Sequence, residues 1–247
     1  MRKNKKAPFL PLSVFSLCAL AALLLVQGCG GGGDNSGPAP APVNPNMRTL
    51  KAGDSIKYHL LITDLASGDQ LEGPAQLDFF ETVTNPDGIP CTAYRVTANM
   101  ASTSGALPFL EQRALIYQDP AGNLYACGKY SPYLDQYIFI KDTSDTPKGL
   151  ALWIKNPVAI GNNLSHFTLY TDNTWDNCTL EIMRTDTVRT AKGAFEAFEM
   201  TENCTFSDAP ATSVTNWLYP PVYFIRSLGT AGNSQVAYDL TGYSLQP

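Results

Sequence analysis

The sequence predicts an all-β domain of curved antiparallel sheets, with little helix. From residue 50 on, short runs rich in Tyr, Phe, Thr, Val and Ile are interrupted by Gly, Pro, Asn and Asp. The interruptions recur about every ten residues, and long helical periodicity is almost absent, a pattern typical of short strands joined by turns. An antiparallel sandwich, barrel or half-barrel would fit, and we favour a half-barrel or sandwich.

The predicted strands are twelve runs with turn residues between them. They cover 55–63, 75–84, 91–100, 111–118, 123–129, 135–141, 164–171, 178–189, 194–205, 213–219, 222–228 and 235–245. A short helix or irregular cap is expected at 146–154, where Pro147 begins a Pro-Lys-Gly-Leu-Ala-Leu-Trp run.

The two halves of the domain resemble each other in sequence. Residues 50–64 match residues 158–172 at an offset of 108. The offset then falls to 105 and 104 at later matches, and Tyr117 and Leu124 come opposite Tyr219 and Ile225. A slowly decreasing offset is what a duplicated β-meander with small loop deletions would give. Chance alignment of common strand residues is the alternative.

Four cysteines in the domain predict two disulfides. An even number of cysteines in an oxidising compartment is first interpreted as disulfides, and no Cys-x-x-Cys metal spacing is present. If Ala191 and Lys192 form a hairpin tip, residues whose numbers sum to about 382 face each other. Cys178 and Cys204 meet this condition, which leaves Cys91 to pair with Cys127.

The first residues have the pattern of an export signal. Residues 1–6 are basic and residues 9–26 are apolar, the arrangement of a secretory n-region and h-region. An uncleaved transmembrane anchor is the alternative, since this apolar run lies at the lower limit of about 17–25 residues for crossing a bilayer. The residues that follow favour the signal.

The run Leu25-Val26-Gln27-Gly28-Cys29 resembles the lipobox of bacterial lipoproteins. The resemblance implies cleavage before Cys29 and attachment of lipid, including a palmitate-type acyl chain, to that cysteine. Several acyl chains together anchor a protein stably to a membrane. Because Gly30 rather than Asp follows, the resemblance further implies the outer membrane of a Gram-negative cell, facing the periplasm or the cell surface.

These segments define the domain organisation. Residues 1–28 form the signal peptide, 29–47 the lipidated cysteine with a Gly- and Pro-rich tether, and 48–247 the all-β domain, with halves at 48–150 and 151–247. Cleavage removes four of the 17 Lys and Arg residues and leaves 13 against 22 Asp and Glu, a formal charge near −9. Nucleic acid and anionic lipid surfaces are therefore poor partners.

No pattern in the domain predicts catalysis, a cofactor or a metal. Gly-x-Ser-x-Gly is absent, and both histidines, His59 and His166, lie in predicted strands. The segment 172–176 lacks the glycine and glutamate of a calcium loop, so a polar loop before a strand is the better interpretation. Acidic residues of the next predicted strand are expected on its solvated face: Glu196, Glu199 and Glu202.

Aromatic motifs in the second half suggest a family likeness. Gly193-x-Phe195, then Trp217-x-Tyr219, and a closing Leu-Thr-x-Tyr at 240–243 resemble uncharacterised bacterial periplasmic and lipoprotein domains. Such folds are similar to the LolA/LolB-type carriers, which implies a curved sheet around an apolar cavity and assigns no activity.

The expected protein is thus a non-enzymatic envelope binding module for an apolar ligand. The alternative is a structural or assembly lipoprotein that binds another envelope protein through a sheet edge. An enclosed apolar cavity would favour the first function, and an exposed apolar or unpaired edge would favour the second. Two carboxylates facing each other in a cleft would instead favour a hydrolase.

Overall fold

The computed structural model describes residues 43–102, 105–106, 110–144 and 149–247. These residues form fifteen strands and no helix, so no described helix could span a bilayer. The strands are β1 Ser55–Asp64, β2 Gln70–Thr84, β3 Pro90–Ala98, β4 Ala101–Ser102, β5 Gly105–Ala106, β6 Leu110–Gln118, β7 Leu124–Ser131, β8 Gln136–Thr143, β9 Ala151–Ile154, β10 Asn163–Tyr170, β11 Trp175–Thr190, β12 Gly193–Phe206, β13 Thr212–Tyr219, β14 Tyr223–Ala231 and β15 Ser234–Ser244.

Twelve of these strands close into an antiparallel barrel. Around the ring the order is β1, β15, β14, β13, β12, β11, β10, β8, β7, β6, β3 and β2, and β2 pairs with β1 again. The expectation of a half-barrel or sandwich is therefore wrong. Local strand patterns cannot reveal closure, because it depends on the pairing of the first strand with the last, with Ser55 opposite Ser244.

All twelve predicted strands correspond to the twelve strands of the ring, with ends that differ by a few residues. The cap expected at 146–154 is wrong where the structure describes it, because residues 151–154 form strand β9, which pairs with β7. Strands β1 to β8 and β10 to β15 contribute six strands each to the ring. The duplication of the halves remains a prediction.

The turns define two ends of the barrel. The proximal end carries the turns at 85–89, 119–123, 191–192 and 220–222. The distal end carries the turns at 65–69, 132–135, 171–174, 207–211 and 232–233. Because successive antiparallel strands alternate in direction, each end collects every second turn.

Residues 43–50 lie across the proximal end. The backbone N–H of Leu50 donates to Gln118 Oε1 at 3.0 Å, and that of Arg48 donates to the Pro220 carbonyl at 3.1 Å. Met47, which the sequence places at the end of the tether, is buried in the core. The tether is therefore expected to leave the domain at the proximal end.

The interior of the barrel is filled by apolar side chains from all around the ring. Alternate residues of each strand point inwards, so that strands far apart in sequence share one cluster. Fully buried members of this cluster include Ile56, Phe79, Ile116, Leu124, Met200, Leu218, Tyr223, Ile225 and Leu240. Trp153 of β9 joins them, with its ring centroid 5.4 Å from that of Phe224.

A second apolar cluster covers the outer face of the first half. Ala93 and Leu115 are fully buried there, around the disulfide between Cys91 and Cys127. The two Cα atoms are 6.5 Å apart although β6 runs between their strands. Strands two places apart in a flat sheet would be about 9.5 Å apart, so the wall curls sharply outwards around this bond.

Candidate functional site

Three side chains form one row across the inner wall of the second half. His166 on β10 lies directly opposite Cys178 on β11, which lies directly opposite Cys204 on β12. Cys178 and Cys204 form the second disulfide, with Cα atoms 4.2 Å apart. They share the face of their strands with Leu180 and Met200, which belong to the interior core. The row therefore points into the barrel.

A bulge in β11 creates this alignment. Near the hairpin tip Thr190 faces Gly193, so facing residues sum to 383. The pairing shifts at Met183, an extra residue between Ile182 and Arg184, and beyond it the sum is 382. If Met183 instead paired regularly with Met200, Cys178 would face Thr205, and the two thiols would lie on opposite faces of the hairpin.

Two carboxylates lie beside the row, deep inside the barrel. Asp176 precedes Cys178 by two residues and is 3% exposed; Glu202 precedes Cys204 by two residues and is 1% exposed. The Tyr170 hydroxyl donates to Asp176 Oδ2 at 2.6 Å, whereas Asp176 Oδ1 has no hydrogen-bond partner among the described residues. The Trp153 indole N–H donates to Glu202 Oε1 at 3.2 Å.

Burial raises the pKa of Asp176. Loss of hydration raises the pKa of its carboxyl above the usual range, although the Tyr170 hydrogen bond and nearby His166 and Lys129 act in the opposite direction. Lys129 comes from β7 in the first half, with Nζ 4.4 Å from the centre of the Tyr170 ring and 3.9 Å from Asp208 Oδ2. The cluster thus draws on both halves of the ring.

These groups line a cavity of about 40 Å³. Ala114, Ala126 and Lys129 line one side, while His166, Asp176, Cys178 and Glu202 line the other. A water molecule needs at least about 10–15 Å³, so the cavity accommodates small ions or a few waters. It is too small for a sugar or peptide, and the two carboxylates therefore do not form a substrate cleft.

The row contains residue types that bind metals. A nitrogen of His166, an oxygen of Asp176 and Sγ of Cys178 lie within 4.8 Å of one another. The same limit holds for Cys178, Glu202 and Cys204. The disulfide, however, ties up both sulfur atoms, and the thiolate is the form that binds metal. While the bond is intact, the cluster therefore lacks its two strongest potential ligands.

A groove of about 400 Å³ lies on the outer face of the same three strands. Its walls are mostly neutral polar side chains, and Met183, which is 47% exposed, adds an apolar one. The polar lining consists of Asn163, Ser165, Thr179, Glu181, Thr201 and Asn203. Small-molecule sites have volumes of about 300–1,000 Å³, so the groove is large enough for a ligand.

An aromatic pair continues this outer surface towards the distal end. Phe167, 43% exposed, follows Ser165 at the next outward position of β10. Its ring stacks on that of Trp175 from β11, with centroids 5.8 Å apart and an interplanar angle of 30°. An apolar platform therefore adjoins the polar groove.

The remaining candidate residues lie apart from these sites. Cys29 and the lipobox are outside the described residues. His59 is an exposed residue of β1, 3.9 Å from Glu72 Oε2, as a surface strand position predicts. The solvated face expected for the glutamates of β12 is wrong for Glu202. Odd-numbered residues of that strand are buried up to Ala197, and even-numbered residues are buried from Phe198 on, so Glu202 points inwards.

The polar-loop interpretation of 172–176 holds only in part. Residues 172–174 form the turn, but Asp176 belongs to β11 and points inwards. Sequence reasoning missed the cluster because it looked for ligands close together in sequence. The signal that could have revealed it is the register of two neighbouring hairpins.

No protein-family model matches the chain, and no curated protein matches it. Among solved structures, a "putative exported protein with YmcC-like fold" from Bacteroides fragilis is 14% identical, with a TM-score of 0.42. The match covers 81% of this chain and 99% of that one. A "putative lipoprotein" from Parabacteroides distasonis is 12% identical over 82% of this chain and 99% of that one, with a TM-score of 0.38. Both likenesses are too distant to bear on function.

Proposed function

We propose that this chain is a lipid-anchored envelope protein that binds a glycan on the outer face of β10, β11 and β12, without catalysing a reaction. The observation that carries the proposal is the polar groove of about 400 Å³ beside the Phe167–Trp175 stack. Sugar rings have an apolar face and a hydroxyl-rich edge. An aromatic platform next to amide and hydroxyl side chains matches both.

The sequence supports the lipid anchor. Cys29 follows an apolar run and a small residue, and a Gly- and Pro-rich segment separates it from the barrel. Since residues 43–50 lie across the proximal end, a tether on Cys29 would hold that end towards the membrane. The groove on the side wall and the distal end would then be accessible from the envelope space.

The barrel interior does not favour the apolar ligand expected from the sequence. Aromatic and aliphatic side chains fill its core, and the cavity beside Asp176 is small and polar. A ligand with an apolar face has more room in the outer groove, where Met183 is exposed and Phe167 is exposed beside it. This is why we place the ligand outside the ring and assign it to the carbohydrates.

Glycan-array binding tests this function directly. The lipidated protein, solubilised in detergent, is compared with Trp175→Ala and with a control, Tyr133→Ala, at an exposed distal tip. We expect Trp175→Ala to weaken glycan binding at least about tenfold, since stacked aromatic contacts supply much of such affinity, while Tyr133→Ala leaves it unchanged. Equal binding by all three proteins, or binding only to lipids, would exclude the carbohydrate site.

A second function, recognition of another envelope protein, is favoured by the distal end. The β7–β8 turn presents Tyr133 and Leu134, which are 74% and 56% exposed. Leu65 is exposed in the β1–β2 turn of the same end. Exposed apolar tips of this kind can insert into a partner.

Site-specific photo-crosslinking in intact cells tests this second function. A photoreactive residue at position 133 should give one discrete adduct, whereas one at Ile160, an apolar residue that is 59% exposed on the segment before β10, should give none. Identical adduct patterns at both positions would show that the distal tips have no specific partner.

A further inference from the structure

We propose that reduction of the Cys178–Cys204 disulfide creates a site for a tetrahedral divalent metal ion, formed by both thiolates, His166 and Asp176. The register of β10, β11 and β12 already places His166, Cys178 and Cys204 in one row. The inference concerns the interior of the barrel and does not depend on the glycan groove.

The ligand types and their spacing fit zinc or cobalt. Zinc binds cysteine sulfur at about 2.3 Å and histidine nitrogen or carboxylate oxygen at about 2.0–2.2 Å, usually with four ligands. His166, Asp176 and Cys178 already have ligand atoms within 4.8 Å of one another. Cys204 Sγ is bonded to Cys178 Sγ, and its ligand atom lies within 4.8 Å of those of Cys178 and Glu202.

Asp176 independently points to a ligand. Its side chain is buried, only 3% of it being exposed, and Oδ1 has no hydrogen-bond partner within the described part of the chain. The oxygen belongs to a residue that lines the cavity of about 40 Å³, together with His166 and Cys178. A metal ion would supply the partner that this buried oxygen lacks.

The positions of Tyr170 and Trp153 suit such a site. The Tyr170 hydroxyl holds Asp176 through Oδ2 and leaves Oδ1 for the metal. The Trp153 indole holds Glu202, whose Oε1 lies 3.9 Å from Cys204 Sγ. These two aromatic side chains are positioning residues, because each orients a carboxylate by a hydrogen bond.

The chemistry requires a reductant of the dithiol class. The dithiol supplies two electrons and two protons, the S–S bond of the protein breaks, and the reductant closes into its own disulfide. Binding of the divalent ion then displaces the two thiol protons to solvent. The oxidised protein has no thiolate to offer, so metal affinity should depend on redox state.

Cobalt(II) binding tests the proposal on the full lipidated chain. The Cys91→Ala/Cys127→Ala variant retains only the inner pair, is reduced with dithiothreitol, and is freed of reductant under argon. We expect Co²⁺ to give a thiolate-to-metal charge-transfer band and the visible d–d bands of a tetrahedral ion. The oxidised form of the same variant should give neither.

A matched pair of variants on one strand tests the fourth ligand. Asp176→Asn should weaken Co²⁺ binding by the reduced protein at least about tenfold. Asp186→Asn, at an exposed position further along β11, should leave it unchanged. Equal affinities for the two variants would overturn the assignment of Asp176, and equal Co²⁺ binding in both redox states would overturn the thiolate site.

The metal site can be tested even if reduction unfolds the protein. If circular dichroism shows that the reduced chain unfolds, Zn²⁺ should restore its β-sheet signal, because a ligand that binds only the folded state stabilises that state. Failure of Zn²⁺ to restore the signal, with no thiolate-to-cobalt band, would reject the proposal.

Discussion

The two halves of the ring use their disulfides on opposite sides of the wall. In the first half, Cys91–Cys127 lies outside, under an apolar cluster, and spans from β3 to β7 across β6. In the second half, Cys178–Cys204 lies inside and joins two paired strands. The outer bond holds the curvature of the wall, whereas the inner bond lies among ionisable groups, where we propose a metal site.

The bulges of the two halves, by contrast, fall on corresponding strands. Each half has one extra residue in its second, fifth and sixth ring strand. The pairs of extra residues are Phe80 and Met183, Cys127 and Ile225, and Lys141 and Thr241. A duplicated meander would produce this arrangement, which adds support to that prediction. The cysteines would then have diverged on a shared backbone.

Removal of either disulfide should have the largest effect on stability. The cysteines are 36 residues apart in the outer bond and 26 apart in the inner one. Loop-closure entropy predicts losses of about 4 kcal/mol for Cys91→Ala/Cys127→Ala and about 3.5 kcal/mol for Cys178→Ala/Cys204→Ala. Urea unfolding of both variants measures the difference. A gap much wider than about 1 kcal/mol would show that packing, rather than chain entropy, distinguishes the two bonds.

Deletion of Met183 should preserve the inner disulfide. The deletion joins Ile182 directly to Arg184, so Ile182 stays opposite Met200 and Cys178 stays opposite Cys204. Deletion of Thr179, between the bulge and Cys178, should instead move Cys178 opposite Asn203 and onto the other face from Cys204. We expect two free thiols in a thiol titration of this second variant only, with a loss of about 3.5 kcal/mol. Free thiols after deletion of Met183 would contradict this register.

Asp54, in the first half, is a buried carboxylate whose charge is compensated by hydrogen bonds. Burial opposes its charge, but hydrogen bonds from Arg48 and from the backbone of Gln246 and Lys51 together hold the pKa below its usual value. Asp54→Asn should therefore cost about 3 kcal/mol at pH 7.

The lowered pKa of Asp54 also predicts how this loss of stability changes with pH. A carboxyl with a lowered folded pKa stabilises the fold fully above its unfolded pKa, near 3.8, and this contribution is lost as the pH falls through the folded value. The gap between wild type and Asp54→Asn should thus shrink below pH 3.8 in urea unfolding. A gap that stays constant down to pH 2 would contradict the lowered pKa.

The smallest expected difference in stability is between two tyrosine-to-aspartate hydrogen bonds, one buried and one near the surface. The Tyr170 hydroxyl donates to buried Asp176 at 2.6 Å, and the Tyr125 hydroxyl donates to Asp119, beside a surface turn, at 3.2 Å. We expect Tyr170→Phe to cost about 2 kcal/mol and Tyr125→Phe about 0.5 kcal/mol, because water replaces a lost partner only at the surface. Equal losses in thermal unfolding would show that burial does not separate these bonds.

Local patterns in the sequence were enough to predict the strands and the cysteine pairs. Alternating apolar residues and turn residues reflect short-range preferences, so each ring strand could be placed. The pair Cys178 and Cys204 followed from a hairpin sum of 382, although the tip itself gives 383 and only the bulge at Met183 corrects it. That part of the prediction was right for an incomplete reason.

Closure and the inner cluster depend on long-range pairing, which no local pattern contains. The meeting of β1 and β15 joins residues almost the whole domain apart. The cluster, likewise, needs the register of two hairpins at once, and a glutamate such as Glu202 has the sequence signature of a surface residue. Glu202 is buried because the inward-facing positions of β12 change from odd-numbered to even-numbered residues between Ala197 and Phe198.

Ring closure also determines the order in which the strands can pair. When the chain emerges N-terminus first, each hairpin can form as it appears, but β1 has no second neighbour until β15 has emerged. Until then two strand edges stay open and can pair with other chains. The final hydrogen-bonded seam therefore forms only when β15 is present, and a chain interrupted before β15 would be left with unpaired strand edges.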